Sequence, residues 1–239
     1  MIYDRYEIAQ GWSDKEFGNY TDEQAELFQA QINTVSFNFS VAPLRVLDIG
    51  FGNGAFMGWV RSRGWICEGL EVNTRLIDRA TQHDYVVSDE LEHLLARPDW
   101  QVYDLITAFD VLEHIERAAL VPFLISLRSA CGPNTLLMFR FPNGDSPFVG
   151  PLQNGDVTHL TTIGSSMLRQ VAEIADYDVV LLDSPPVPLR GTTLKRRIAI
   201  IVGTPVRWLL GQFIRHIFMG GLEVAFTGNL FAVLKPRKA

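Results

Sequence analysis

The chain has 239 residues, 47% of them hydrophobic and 20% charged, a balance that allows one α/β domain or two small ones with a real core and excludes a disordered polymer. Cys67 and Cys131 are the only cysteines, too few for a disulfide framework or a zinc site, which points to a reduced, cytoplasmic protein. Net charge is −6 but uneven: from Arg190 onward nine Lys or Arg face one acid, Glu223, a local +8 that leaves −14 for the residues before it and argues against a nucleic-acid partner.

At the N-terminus Asp4, Arg5 and Glu7 stand where a secretion signal needs an apolar core. Thr21-Asp22-Glu23-Gln24 reads as a capping box opening a helix with Leu27, Phe28, Ile32 and Val35 as its apolar stripe. After Pro43, Arg45 to Ile49 reads as a buried strand, followed by a glycine cluster, a helix through Val60 and a strand at Trp65 to Leu70. Further strands are expected at Tyr85 to Val87, Tyr103 to Phe109, Thr135 to Phe141 and Asp178 to Leu182, with helices at Arg117 to Ala130 and Thr162 to Ala175. This alternation predicts a doubly wound, mostly parallel α/β sheet. With no internal repeat or low-complexity linker, one domain is expected: an N-terminal helical segment (1–43), a core (44–186), and a basic insertion with a closing strand (187–239).

Asp48-Ile49-Gly50-Phe51-Gly52-Asn53-Gly54 places three glycines where strand gives way to helix, so that a ligand can approach main-chain N–H groups. Glu71, at the end of the next strand, can accept hydrogen bonds from two ribose hydroxyls. Together they suggest a bound nucleoside rather than a tight turn beside a surface acid. Gly50-x-Gly52-x-x-Ala55 also satisfies a loose dinucleotide fingerprint, which is weak alone. Asp48 favours the ammonium of S-adenosylmethionine over a pyrophosphate, and no Tyr-x-x-x-Lys pair of a short-chain dehydrogenase is present.

"VLDIGFGNG", the acid of "GLEV" and "YDLITAFDVLEHI" resemble successive motifs of the class I S-adenosylmethionine-dependent methyltransferases, from about Leu44 to Asp183. The resemblance implies a seven-stranded Rossmann-like sheet whose closing strand, Asn229 to Lys235, inserts antiparallel at one edge. It implies S-adenosylmethionine as cofactor, with Asp48, Gly50, Gly52 and Gly54 at the methionine end and Glu71 on the ribose. Asp89, in "VSDEL", falls where that family contacts adenine.

Asp110, Glu113 and His114 follow a strand that reads as buried, where unpaired charge is costly. On one helical turn these positions share a face over the carboxyl edge of the sheet, where ligands bind. A long loop after "FRFP" ends in Asp156 and His159 just before a helix, and such loops are usually functional. Asp110-x-x-Glu113-His114 with His159 resembles the metal-binding set of small-RNA 2′-O-methyltransferases and ubiquinone-pathway O-methyltransferases, with Asp in place of Glu at position 110. The expectation is that His114 or His159 deprotonates a hydroxyl acceptor, with Glu113 supporting and Asp110 contacting cofactor, with or without a divalent metal. The alternative is that the acids cap the next helix and the histidines are only hydrogen-bonded. His83, His93 and His216 stand apart from this group.

Thr204-Pro205 reads as a helix start, with Val206, Leu209, Leu210, Phe213, Ile214, Ile217 and Phe218 on one stripe and Arg207 and Arg215 opposite. No uncharged run reaches 18 residues, so a peripheral membrane contact through 204–219, or a lid or dimer surface, is expected rather than a transmembrane span. "PNGDSPF…GDVTHL" with such a tail resembles bacterial methyltransferases associated with surface-polysaccharide synthesis, which implies O-methylation of a sugar hydroxyl on a glycan or lipid-linked glycan. Rival expectations are a small-molecule acceptor such as a quinone precursor, an NAD-dependent oxidoreductase or epimerase, and a non-catalytic cofactor-binding subunit.

Overall fold

In the computed structural model, residues 17–35, 43–221 and 225–237 are described; Asp4, Arg5, Glu7 and Glu223, used above, lie outside them. The Thr21 hydroxyl accepts from the Gln24 N–H (3.2 Å) while the Gln24 side chain accepts from the Thr21 N–H (2.9 Å). This reciprocal cap opens α1 (Asp22–Ile32), which buries Phe28 and Ile32.

Beyond Pro43 the chain alternates through β1 (Arg45–Ile49), α2 (Ala55–Ser62), β2 (Ile66–Leu70), α3 (Thr74–Gln82), β3 (Val86–Ser88), α4 (Leu91–Leu95) and β4 (Tyr103–Phe109). The expected helix over 117–130 is instead a 3₁₀ turn (Arg117–Ala119), α5 (Leu120–Leu127) and a second 3₁₀ turn (Arg128–Ala130) leading into β5 (Cys131–Pro142). Next come α6 (Gly150–Gln153), α7 (Ser165–Ile174), β6 (Tyr177–Asp183), α8 (Leu194–Phe218) and β7 (Asn229–Pro236). α7 starts three residues later than its apolar pattern suggests, because Asp145 reaches in from the preceding loop to accept from the Ser165 N–H (2.7 Å).

Among the described residues, seven strands form one sheet in the order β3-β2-β1-β4-β5-β7-β6. Only β7 runs antiparallel, and it pairs with both β5 and β6. The closing strand therefore lies one place in from the edge expected for it, and β6 takes the edge. Sequence explains this: Phe231 and Val233 pack on one face while Leu230, Ala232 and Leu234 pack on the other. A strand apolar on both faces does best with a hydrogen-bonded neighbour on each side.

α1 and α2 cover one face, where Phe28, Phe56 and Trp59 meet Val46, Leu105 and Met138; α4, α5 and α7 cover the other. Buried Glu68 of β2 ties down the beginnings of β1 and β4. It accepts from Arg45 (3.1 Å) and the Tyr103 hydroxyl (2.5 Å) and pairs with Arg97 (3.2 Å).

α8 departs most from expectation. It begins at Leu194, ten residues before Thr204, because Thr193 supplies the cap by accepting from the Arg196 N–H (3.3 Å). Thr204 and Pro205 sit mid-helix, and the Thr204 hydroxyl donates to the Ile200 carbonyl one turn back (2.6 Å). The helix is 25 residues long, with mean hydropathy 1.2 over its most apolar 18-residue window, so by length and composition it could cross a membrane.

Candidate active site

β1 turns outward to β2 and β3 on one side, while β4 lies on its other side. Ligands bind beyond the strands' carboxyl ends at such a switch point, and here a cavity of about 1130 Å³ opens. Asp48, Gly50, Gly52, Glu71, Asp89, Asp110 and His114 all line it. Gly54, Glu113 and His159 do not. Gly54 instead caps α2 at φ 74°, with the Phe17 ring packed where a side chain would begin. Gly50 has φ 65°, and a Cβ there would meet the Val111 side chain at 2.5 Å. The glycine thus lets the turn after β4 close onto the turn after β1.

Two carboxylates, one buried and one half-buried, face this space. Asp48 is 3% exposed and accepts from the Thr107 hydroxyl (2.8 Å). Burial, with nearby Glu71 adding to it, pushes its pKa to about 7. Glu71 is also raised by burial, against the pull of three main-chain donors: Asn73 (3.1 Å), Gly52 (3.3 Å) and Val72 (2.9 Å). Asp89 lies at the exposed rim, 3.8 Å from His93.

Asp110, Glu113 and His114 do not share a helical face. Asp110 has φ 58°, so the chain reverses there, and Leu112–His114 is a 3₁₀ turn with three residues per turn rather than 3.6. The Asp110 carboxylate is drawn aside by the Arg140 guanidinium of β5, which grips both its oxygens. Glu113 and His114 instead gather with His159, their ligating atoms all within 4.8 Å of one another. The loop is held against this turn because the Glu113 carbonyl accepts from Leu160 (2.8 Å) and Thr161 (3.0 Å) N–H groups.

Protonation in this cluster follows from its hydrogen bonds. The Thr158 hydroxyl donates to Asp156 (2.5 Å), so its oxygen accepts from His114 Nδ1–H (2.9 Å), as does the Thr158 carbonyl (3.2 Å). That tautomer puts the His114 lone pair on Nε2. Burial lowers the His114 pKa below its usual value, with the Thr158 carbonyl working against that and His159 reinforcing it. His159 Nδ1 likewise donates to the Gln153 carbonyl (3.0 Å), leaving Nε2 facing Glu113 at 4.0 Å. Glu113 is 2% exposed, its Oε2 has no hydrogen-bond partner, and burial followed by Asp110 pushes its pKa to about 8.

Several residues of the site went unread in the sequence. Arg140 was signalled only as a lone charge inside the apolar "MFRFP", and Thr158 as the hydroxyl between an acid and a histidine. Gln24, Leu27 and Phe28 reach the cavity from α1, and Phe56, Phe109 and Phe123 complete an aromatic wall. Gln24 was read only as part of the cap, and Leu27 and Phe28 only as the apolar stripe of α1.

The methyltransferase domain family, matched by its sequence profile over residues 20–182, accounts for more than half the chain. The chain belongs to the class I S-adenosylmethionine-dependent methyltransferases. Solved structures agree in fold. An S-adenosylmethionine-dependent methyltransferase from Archaeoglobus fulgidus is 17% identical, covering 97% of this chain and 100% of that one with TM-score 0.63. The plantazolicin methyltransferase BpumL, in complex with SAH, is 16% identical over 98% and 91%, TM-score 0.58. The magnesium protoporphyrin IX methyltransferase of Synechocystis PCC 6803, with bound SAH, is 12% identical over 99% of each chain, TM-score 0.58. No curated protein sequence gives a significant match.

Proposed function

We propose that the protein O-methylates a sugar hydroxyl, on a glycan or lipid-linked glycan, with His114 as the base. Glu71 would hold the ribose of S-adenosylmethionine, Asp89 the adenine side, and Asp48 with the Gly50–Gly54 turn the methionine end. The residues suit that cofactor. Asp48 is a carboxylate that burial has made a poor anion, and a cationic ammonium beside it would favour its charged form. When bound, the sulfonium supplies a methyl group activated for displacement by an oxygen nucleophile.

The protein's own part is to align the acceptor and take its proton, effects worth roughly 7–11 kcal/mol for alignment and about 10²–10⁴-fold for a positioned base. One observation carries the assignment: His114 alone of the two clustered histidines lines the cavity, and its Nδ1–H is committed to Thr158. Phe109 and Phe123 would stack on the apolar face of a sugar ring and exclude water. His114→Ala should lower kcat about 10²–10⁴-fold while S-adenosylhomocysteine affinity by calorimetry stays near wild type; full turnover would defeat the assignment. Mass spectrometry of glycans and lipids from cells with and without the gene tests the acceptor, and a missing methyl on a quinone instead of a sugar would replace it.

A second reading is favoured by the partnerless Glu113 Oε2: a divalent cation held by Glu113, His114 and His159. Two imidazoles and a carboxylate suit zinc, iron or manganese, which would acidify the acceptor hydroxyl. Stoichiometric metal in the purified protein and loss of turnover on chelation would favour it over the free base.

A further inference from the structure

None of the 25 residues of α8 is buried. Ile198, Val202, Val206, Leu209 and Phe213, spaced three and four apart, form a face more than half exposed at every one of these positions. The helix meets the body at its start, where Arg196 pairs with Glu23 of α1, and along the edge carrying Gly211 and Ile214, near Phe226 and Pro147. The helix also carries Lys195, Arg196, Arg197, Arg207 and Arg215 and no acid.

A bare apolar face on a helix with only positive charge fits the surface of an anionic bilayer, where acyl chains take the apolar side chains and headgroups the guanidiniums. A second copy fits worse, because two such helices would bring like charges together. Crossing the bilayer is ruled out by topology. α8 leaves from the end of β6 and returns to the start of β7, and these ends pair in one sheet, Asp183 with Phe231. Both ends of the helix must therefore stay on the same side of a membrane. A span would require the chain to recross some 30 Å of hydrocarbon between Phe218 and Asn229, far fewer residues than the roughly 20 that a spanning helix needs.

We infer that α8 lies in the plane of an anionic membrane surface and turns the carboxyl edge of the sheet toward it. The methyl-transfer cavity opens at that same edge, beyond the ends of β1, β2 and β4. This placement does not depend on which acceptor is methylated.

Flotation of the full chain with phosphatidylcholine vesicles, with and without phosphatidylglycerol, tests it. Wild type should float only with the anionic vesicles and less so as salt rises. Arg197→Gln with Arg207→Gln should weaken binding about fivefold per residue, and Val202→Glu with Leu209→Glu should abolish it. S-adenosylhomocysteine binding should stay unchanged in both variants, which separates this result from any failure of the catalytic assignment. Wild type that does not float, variants that float as well as wild type, or a dimer that the Val202 and Leu209 substitutions dissociate without any vesicle binding would each overturn the inference.

Discussion

Asp48 is out of water, hydrogen-bonded to Thr107, and keeps its proton to about pH 7, whereas in the unfolded chain an aspartate loses it near the ordinary value of 3.8. Between those values the folded state binds the extra proton, so stability falls as pH rises and the full cost is reached above about 7. A shift of that size corresponds to a few kcal/mol. Asp48→Asn should therefore raise the Tm of the cofactor-free protein at about pH 8 and confer almost nothing near pH 4, as thermal unfolding across pH will check. With saturating cofactor the order should reverse, because only the carboxylate rewards the ligand's ammonium. His114 depends on one neighbour in a similar way. Thr158→Val removes the hydroxyl that accepts from its Nδ1–H, and kcat should fall by about 10²-fold or more with cofactor affinity intact, whereas Thr158→Ser should restore turnover.

Two turns, after β1 and after β4, make the site, and Gly50 is where they touch. Gly50→Ala would combine a left-handed φ with a Cβ 2.5 Å from Val111, displacing the segment that carries Asp110 and His114. Calorimetry should show S-adenosylhomocysteine binding at least about tenfold weaker, a strain of one to three kcal/mol. The strands that frame these turns were legible to the residue: β1 and β4 are near-continuous apolar runs, as strands buried on both faces must be. The placing of Gly50, Gly52, Asp48 and Glu71 around one cavity was legible too, whereas Gly54 turned out to cap α2. The turn after β4 was not. Its helical reading assumed 3.6 residues per turn, and neither the left-handed Asp110 nor the pull of Arg140, thirty positions away, leaves a periodic trace. α8 was half legible, because Thr204-Pro205 mimics a start that Thr193 had already made.

Across the whole molecule, the tail does two unlike things. β7 fills a slot between β5 and β6, and Leu230, Phe231, Val233 and Leu234 are at most 1% exposed. Burial of four such side chains is worth roughly 6–12 kcal/mol at about 1.5–3 each, comparable to the roughly 5–15 kcal/mol that holds a domain folded. α8, in the same tail, has no fully buried residue. A chain ending at Gly228 should show no cooperative unfolding transition. Replacing 194–218 with a short Gly-Ser linker should leave Tm within a few degrees and cofactor binding intact while vesicle binding disappears. Because β7 must return beside β6, the helix is tethered at the carboxyl edge of the sheet by the very strand that completes it; if the linker variant instead unfolds, α8 is part of the fold's support rather than a surface the fold presents.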